Sequence, residues 1–106
     1  KAEVFFTIGS SAVTGTEEAK LRAFAQWMKD YPSAKATLTG YADAGTGNAE
    51  INRAISQKRT EHVKKMLIEK YGIDASRLST DFKGDQVQPF KENDSNRVVI
   101  GVAKEQ

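Results

Sequence analysis

The spacing of apolar and polar positions changes several times along the chain, and each change marks an element. Val4-Phe5-Phe6-Thr7-Ile8 is a short run of β-favouring residues closed by Gly9-Ser10-Ser11, and predicts a first strand. Thr14-Gly15-Thr16-Glu17 has the spacing of a capping box, with acidic residues in the first turn. Leu21, Phe24, Ala25 and Met28 then recur at helical spacing, with Trp27 beside the stripe, and Pro32 stops the helix. Ala36-Thr37-Leu38-Thr39 predicts a second strand ending at Gly40. A permissive loop with Gly45 and Gly47 runs from Tyr41 to about Asn48. A long helix follows from about Ala49 to Tyr71, with Ile51, Ile55, Val63, Met66 and Leu67 near one stripe. Gly72 is placed to end it in the left-handed conformation. After a short turn over Asp74–Arg77, Leu78–Phe82 and Arg97–Val102 predict the last two strands, separated by a polar loop from Lys83 to Asn96.

The order strand, helix, strand, helix, strand, strand predicts an α/β (α+β) two-layer sandwich, βαβαββ, with two helices packed on a small mixed sheet. The crossovers are expected to be right-handed, and the last two strands are expected to pair antiparallel. Length adds that residues 1–106 form a single domain, long enough to hold a modest core without staples.

Composition narrows the chemistry. The chain has no cysteine, which excludes a disulfide framework, thiolate metal ligation and a cysteine nucleophile. A formal net charge of +2 is too even for nucleic-acid binding driven by counterion release, so no nucleic-acid partner is expected. No apolar run reaches the length of a membrane-spanning helix. The opening Lys1-Ala2-Glu3-Val4 runs straight into a strand, so any export signal or anchor is expected upstream or already removed. The single histidine, His62, has no HxxxH or HExxH companion, and no GxSxG is present. Neither a metal, a cofactor nor an enzymatic activity is expected.

The densest polar cluster lies after the second strand. Asp43 follows the strand end, and Asn52, Ser56 and Arg59 share one face of the second helix. A carboxylate and a guanidinium facing one space suit a zwitterionic ligand: the Asp takes an ammonium group and the Arg a carboxylate through a two-pronged contact. The same spacing is also what any half-exposed helix shows, and an Asp after a strand also caps the next helix. The pattern alone leaves both readings open.

Gly40-Tyr41-Ala42-Asp43, followed by Asn52-Arg53-Ala54-Ile55-Ser56-Gln57-Lys58-Arg59, resembles the OmpA-like C-terminal domain family. There a strand ending G-[HY]-[TA]-D is followed by a glycine-containing loop and a helix opening N-x-x-[LI]-S-x-x-R. Gly72-Ile73, Arg77-Leu78 and Gly84 resemble the family's pattern around the third strand, and Asn96-Arg97-Val98-Val99-Ile100 is similar to its terminal N-R-R-V-x-[IV] motif. Val98 stands where the family has a second arginine, Thr60 where it has a small residue, and the loop from Asp43 to Asn52 is longer than the commonest form.

The resemblance implies a non-enzymatic module that binds peptidoglycan through the meso-diaminopimelate of the stem peptide. It implies a place on the periplasmic side of the outer membrane of a Gram-negative bacterium, as the wall anchor of a larger protein. Carried over by motif, Asp43 takes the free ammonium group, Arg59 pairs with the carboxylate, Asn52 and Ser56 shape the loop and helix wall, and Arg97 assists from the last strand. The alternative is a degenerate domain of the same fold serving as a protein–protein interaction or structural module. A hydrolase or transferase on wall peptides would need a nucleophile or metal convergent with Asp43, and the sequence offers none.

Overall fold

The structure, a computed structural model, describes residues 1–105. Its elements run β1 (Ala2–Phe5), α1 (Gly15–Asp30), β2 (Lys35–Tyr41), α2 (Ala49–Glu69), β3 (Leu78–Phe82) and β4 (Val98–Lys104). Short 3-10 turns at Ala75–Arg77 and Asn93–Asn96 precede β3 and β4. The four strands form one sheet in the order β1-β4-β2-β3. β4 is antiparallel to both β1 and β2, and β3 is parallel to β2. The mixed sheet under two helices agrees with the expected sandwich.

The last two strands do not pair with each other, contrary to the expectation: β2 lies between them. Sequence composition accounts for the placement. Leu78-Ser79-Thr80-Asp81-Phe82 exposes its polar centre and suits a sheet edge, whereas Val98-Val99-Ile100-Gly101 is apolar enough for an interior strand. The first strand is shorter than predicted. Phe6 still donates its N–H to the Arg97 carbonyl at 2.8 Å, but β4 offers nothing beyond, and Thr7 to Ser10 turns away with Ile8 exposed. Neither bond of the expected capping box forms. Thr14 sits at the N-cap of α1 without a side-chain hydrogen bond, and the Glu17 carboxylate, rather than reaching back to Thr14, accepts the N–H of Phe5 on the edge strand at 2.8 Å.

One face of the sheet and both helices enclose the core. Leu21, Phe24, Ala25 and Met28 from α1 meet Val4, Leu38 and Val99 from the strands and Val63 and Leu67 from α2. Arg77 closes the far end of α1, donating to the carbonyls of Met28, Tyr31 and Ala34 at 2.8–2.9 Å. Gly72, at φ +72°, ends the turn after α2 in the left-handed region, as its position predicts.

Helix α2 departs most from the sequence reading. Its inward residues are Asn52, Ser56, Arg59, Thr60, Val63 and Leu67, so its first half buries a polar face. Ile51 is 55% exposed and Ile55 half-buried, outside the core. The reason is the surface that α2 meets. Near its start it crosses strand ends and loops whose carbonyls and amides need partners, and only its second half faces the apolar sheet. At the crossing, β2 passes so close that a Cβ on Gly40 would lie 1.9 Å from Thr60 Oγ1 and 2.4 Å from the Ser56 carbonyl oxygen. Only glycine permits that approach.

Candidate functional site

A cavity of about 230 Å³ opens where β1 and β2 end, against the first three turns of α2. Asp43, Asn52 and Arg59 line it, together with Ile8, Gly9, Thr46, Ile51 and Ile55. Three of the five sequence-predicted residues therefore share one space. Ser56 and Arg97 do not line it; they hold its walls.

Asp43 is buried at the end of β2. Its Oδ1 accepts hydrogen bonds from Thr46 Oγ1 at 2.9 Å and Asn93 Nδ2 at 3.1 Å, and its Oδ2 meets Arg97 Nη1 at 3.4 Å. Burial opposes ionisation, but these hydrogen bonds and the charge of Arg97 outweigh it and hold the carboxyl below its ordinary value. A carboxylate offers about four acceptor sites, two on each oxygen. Oδ1 is filled, whereas Oδ2 carries only the long contact to Arg97.

Arg59 is 1% exposed, an unusual burial for a guanidinium. Its Nε donates to the Ser10 carbonyl at 2.9 Å, Nη1 to Tyr41 at 3.3 Å and Nη2 to Thr7 at 3.2 Å. The group also lies 5.2 Å from the ring centre of Phe6. Three of five N–H groups are thus used on carbonyls, and no carboxylate among the described residues forms an ion pair with it. Desolvation, aided by repulsion from Arg97 and opposed by Asp43, lowers its pKa to about 10. It stays charged at neutral pH, buried, without a close counter-ion, and bordering a cavity.

Asn52 fastens the loop to the helix. Its Nδ2 donates to the Thr46 carbonyl at 2.8 Å, the Asp43 carbonyl at 3.3 Å and Asp85 Oδ2 at 2.9 Å. Ser56 donates to the Arg53 carbonyl at 2.8 Å and accepts the N–H of Gly84 at 3.0 Å, tying α2 to the turn after β3. Arg97 binds the Phe6 carbonyl at 3.0 Å and bridges Asp43 and Asp94.

Sequence reasoning missed the contribution of the segment from Asp85 to Asn96. Asn93 holds Asp43 and also accepts the N–H of Gly45 at 3.1 Å. Gln88 donates to the Ala42 carbonyl at 2.9 Å and accepts the Ala44 N–H at 3.1 Å. The available signal was its density of Asn, Gln and Asp, residues able to bond backbone at a distance, although their partners cannot be read from spacing.

A sequence model of the OmpA family matches residues 5–99. The chain belongs to the OmpA family. Outer membrane protein 40 of Porphyromonas gingivalis is 37% identical over 102 residues, 96% of this chain and 26% of that protein. The peptidoglycan-associated lipoprotein of Burkholderia pseudomallei superposes with a TM-score of 0.88 at 26% identity, covering 98% of this chain and 91% of that one. The cell wall anchor of the type VI secretion system of Pseudomonas aeruginosa shares the fold, with a TM-score of 0.73 at 21% identity over 93% of this chain and 73% of that one. This OmpA-family chain spans about a quarter of the length of the curated relatives it matches. Among the described residues no helix is long and apolar enough to cross a membrane, and no cluster of three or more His, Asp or Glu side chains could hold a metal ion.

Proposed function

We propose that this OmpA-family domain binds peptidoglycan non-covalently by holding the meso-diaminopimelate of a stem peptide, and so anchors a larger outer-membrane protein to the wall from its periplasmic side. One observation carries the reading: Arg59 is a buried cation with uncommitted N–H groups, bordering a cavity that Asp43 also lines. A zwitterionic amino-acid centre supplies both complements. Its carboxylate pairs with Arg59, where a charge-assisted contact relieves a cation already stripped of water. Its ammonium group takes the open site on Asp43 Oδ2. Asn52 and Ser56 keep the wall in place, and Arg97 keeps Asp43 ionised and oriented. The name of the Burkholderia relative, peptidoglycan-associated, fits this ligand class. The role is binding rather than catalysis.

The test is co-sedimentation with purified diaminopimelate-type peptidoglycan. Asp43→Asn and Arg59→Lys are preferred over alanine substitutions, since both side chains also hold backbone and loops. Each is expected to lose wall binding while circular dichroism shows a folded domain. Normal sedimentation of both folded variants would contradict the assignment and leave the fold to serve as a protein–protein interaction module.

A further inference from the structure

A second cavity of about 280 Å³ lies beside the first and shares Gly9, Ile51 and Ile55 with it. The rest of its lining is Ser11, Ala54 and Lys58. The two cavities therefore form one groove between the turn after β1 and the outer side of α2. Ile51, Ala54, Ile55 and Lys58 follow one another at helical spacing, so one helix face makes its wall. Ile51 to Lys58 covers about 10 Å of helix axis, the reach of roughly three extended residues. The groove thus exceeds what a single amino-acid centre fills. Ile8 and Ile51, at 63% and 55% exposure, border the first cavity, and Ile51 borders both. Lys58 is the one charged residue in the lining of this second cavity, and among the described residues it has neither an ion pair nor a hydrogen bond, so its ammonium group is free beside the groove.

We infer that the groove is an extended subsite in which Lys58 takes a second carboxylate of the bound peptide, that of an acidic residue next to the zwitterionic one. This rests on the wall-peptide reading above and adds a specificity to it. The peptide backbone leaves the Asp43–Arg59 cavity over Ile51 and Ile55, and the acidic neighbour reaches Lys58. Amidation of that carboxylate removes the charge partner without altering the zwitterionic centre, so the groove distinguishes amidated from free-acid peptides.

Three ligands separate the possibilities by calorimetry: free meso-diaminopimelate, γ-glutamyl-diaminopimelate, and the same dipeptide with its free glutamyl α-carboxylate amidated. The wild-type domain is expected to bind the free-acid dipeptide about fivefold more tightly than the amidated one, a modest ratio befitting a partly exposed pair that weakens with salt. Lys58→Gln, on an exposed side chain, is expected to abolish that ratio and leave the affinity for free diaminopimelate unchanged. Equal binding of the two dipeptides by the wild-type domain, or an unchanged ratio in Lys58→Gln, would overturn the Lys58 assignment while the Asp43–Arg59 site stands. Failure of the wild-type domain to bind any of the three would overturn the wall-peptide reading and this subsite with it.

Discussion

Arg59 and Asp43 each carry a structural and a binding duty, and their substitutions separate the two. Arg59→Ala strands the carbonyls of Thr7, Ser10 and Tyr41, and is expected to cost about 2 kcal/mol or more, seen as a Tm fall of roughly 10 °C. Arg59→Lys restores one cation but not the fork, so it is expected to recover part of that stability and none of the two-pronged binding. Asp43 sets a pH dependence. Its folded pKa lies below the ordinary value of 3.8, so the folded state favours the ionised form. That contribution is fully present above the unfolded pKa and is lost as pH falls through the lower folded value. Denaturation midpoints measured from pH 7 to pH 3 are expected to fall less in Asp43→Asn than in the wild-type domain over the acid limb. An equal fall in both would contradict the assignment. Asp43, Asn52 and Arg59 were legible in the sequence as a cluster, because their motif spacing survives in one dimension. Their burial was not. A polar stripe at helical spacing ordinarily faces water, and only the carbonyl-rich strand ends beneath α2 reverse that here.

Among the elements, the contact between β2 and α2 decides whether the cavity exists. Gly40→Ala would drive a methyl into Thr60 Oγ1 and the Ser56 carbonyl, and is expected to destabilise the domain by about 3 kcal/mol, measured by chemical denaturation. Pairing it with Thr60→Ala should recover part of the loss, because only one of the two clashes is relieved. Most elements could be read from the sequence to within a few residues, since their periodicities and breakers are local. Leu78–Phe82 matches its predicted bounds. Strand pairing was not legible, because insertion of β4 between β1 and β2 is a long-range choice set by which strands tolerate an edge. The loop after β3 was equally opaque. Asn93 and Gln88 act across long sequence separations on the Asp43 loop, and Asp85 on Asn52 of α2.

Across the whole molecule, the strand registers give the sandwich two distinct ends. Ala2 faces Gly101 and Lys35 faces Lys104 at one end; Phe5 and Tyr41 both meet Val98 at the other. The cavity lies at the second end, and residues 1 and 104 lie at the first. A larger protein joined at either end of the chain is therefore expected to leave the site open, and a folded fusion partner placed before Lys1 should not change ligand affinity. This arrangement suits an anchor, which must be tethered at one end and grip at the other. The most direct test is calorimetry of the purified domain with a diaminopimelate-containing muropeptide, with Asp43→Asn as the control. The account predicts saturable one-to-one binding that disappears in the variant while its fold persists. A folded wild-type domain that does not bind, or an unchanged affinity in Asp43→Asn, would contradict it.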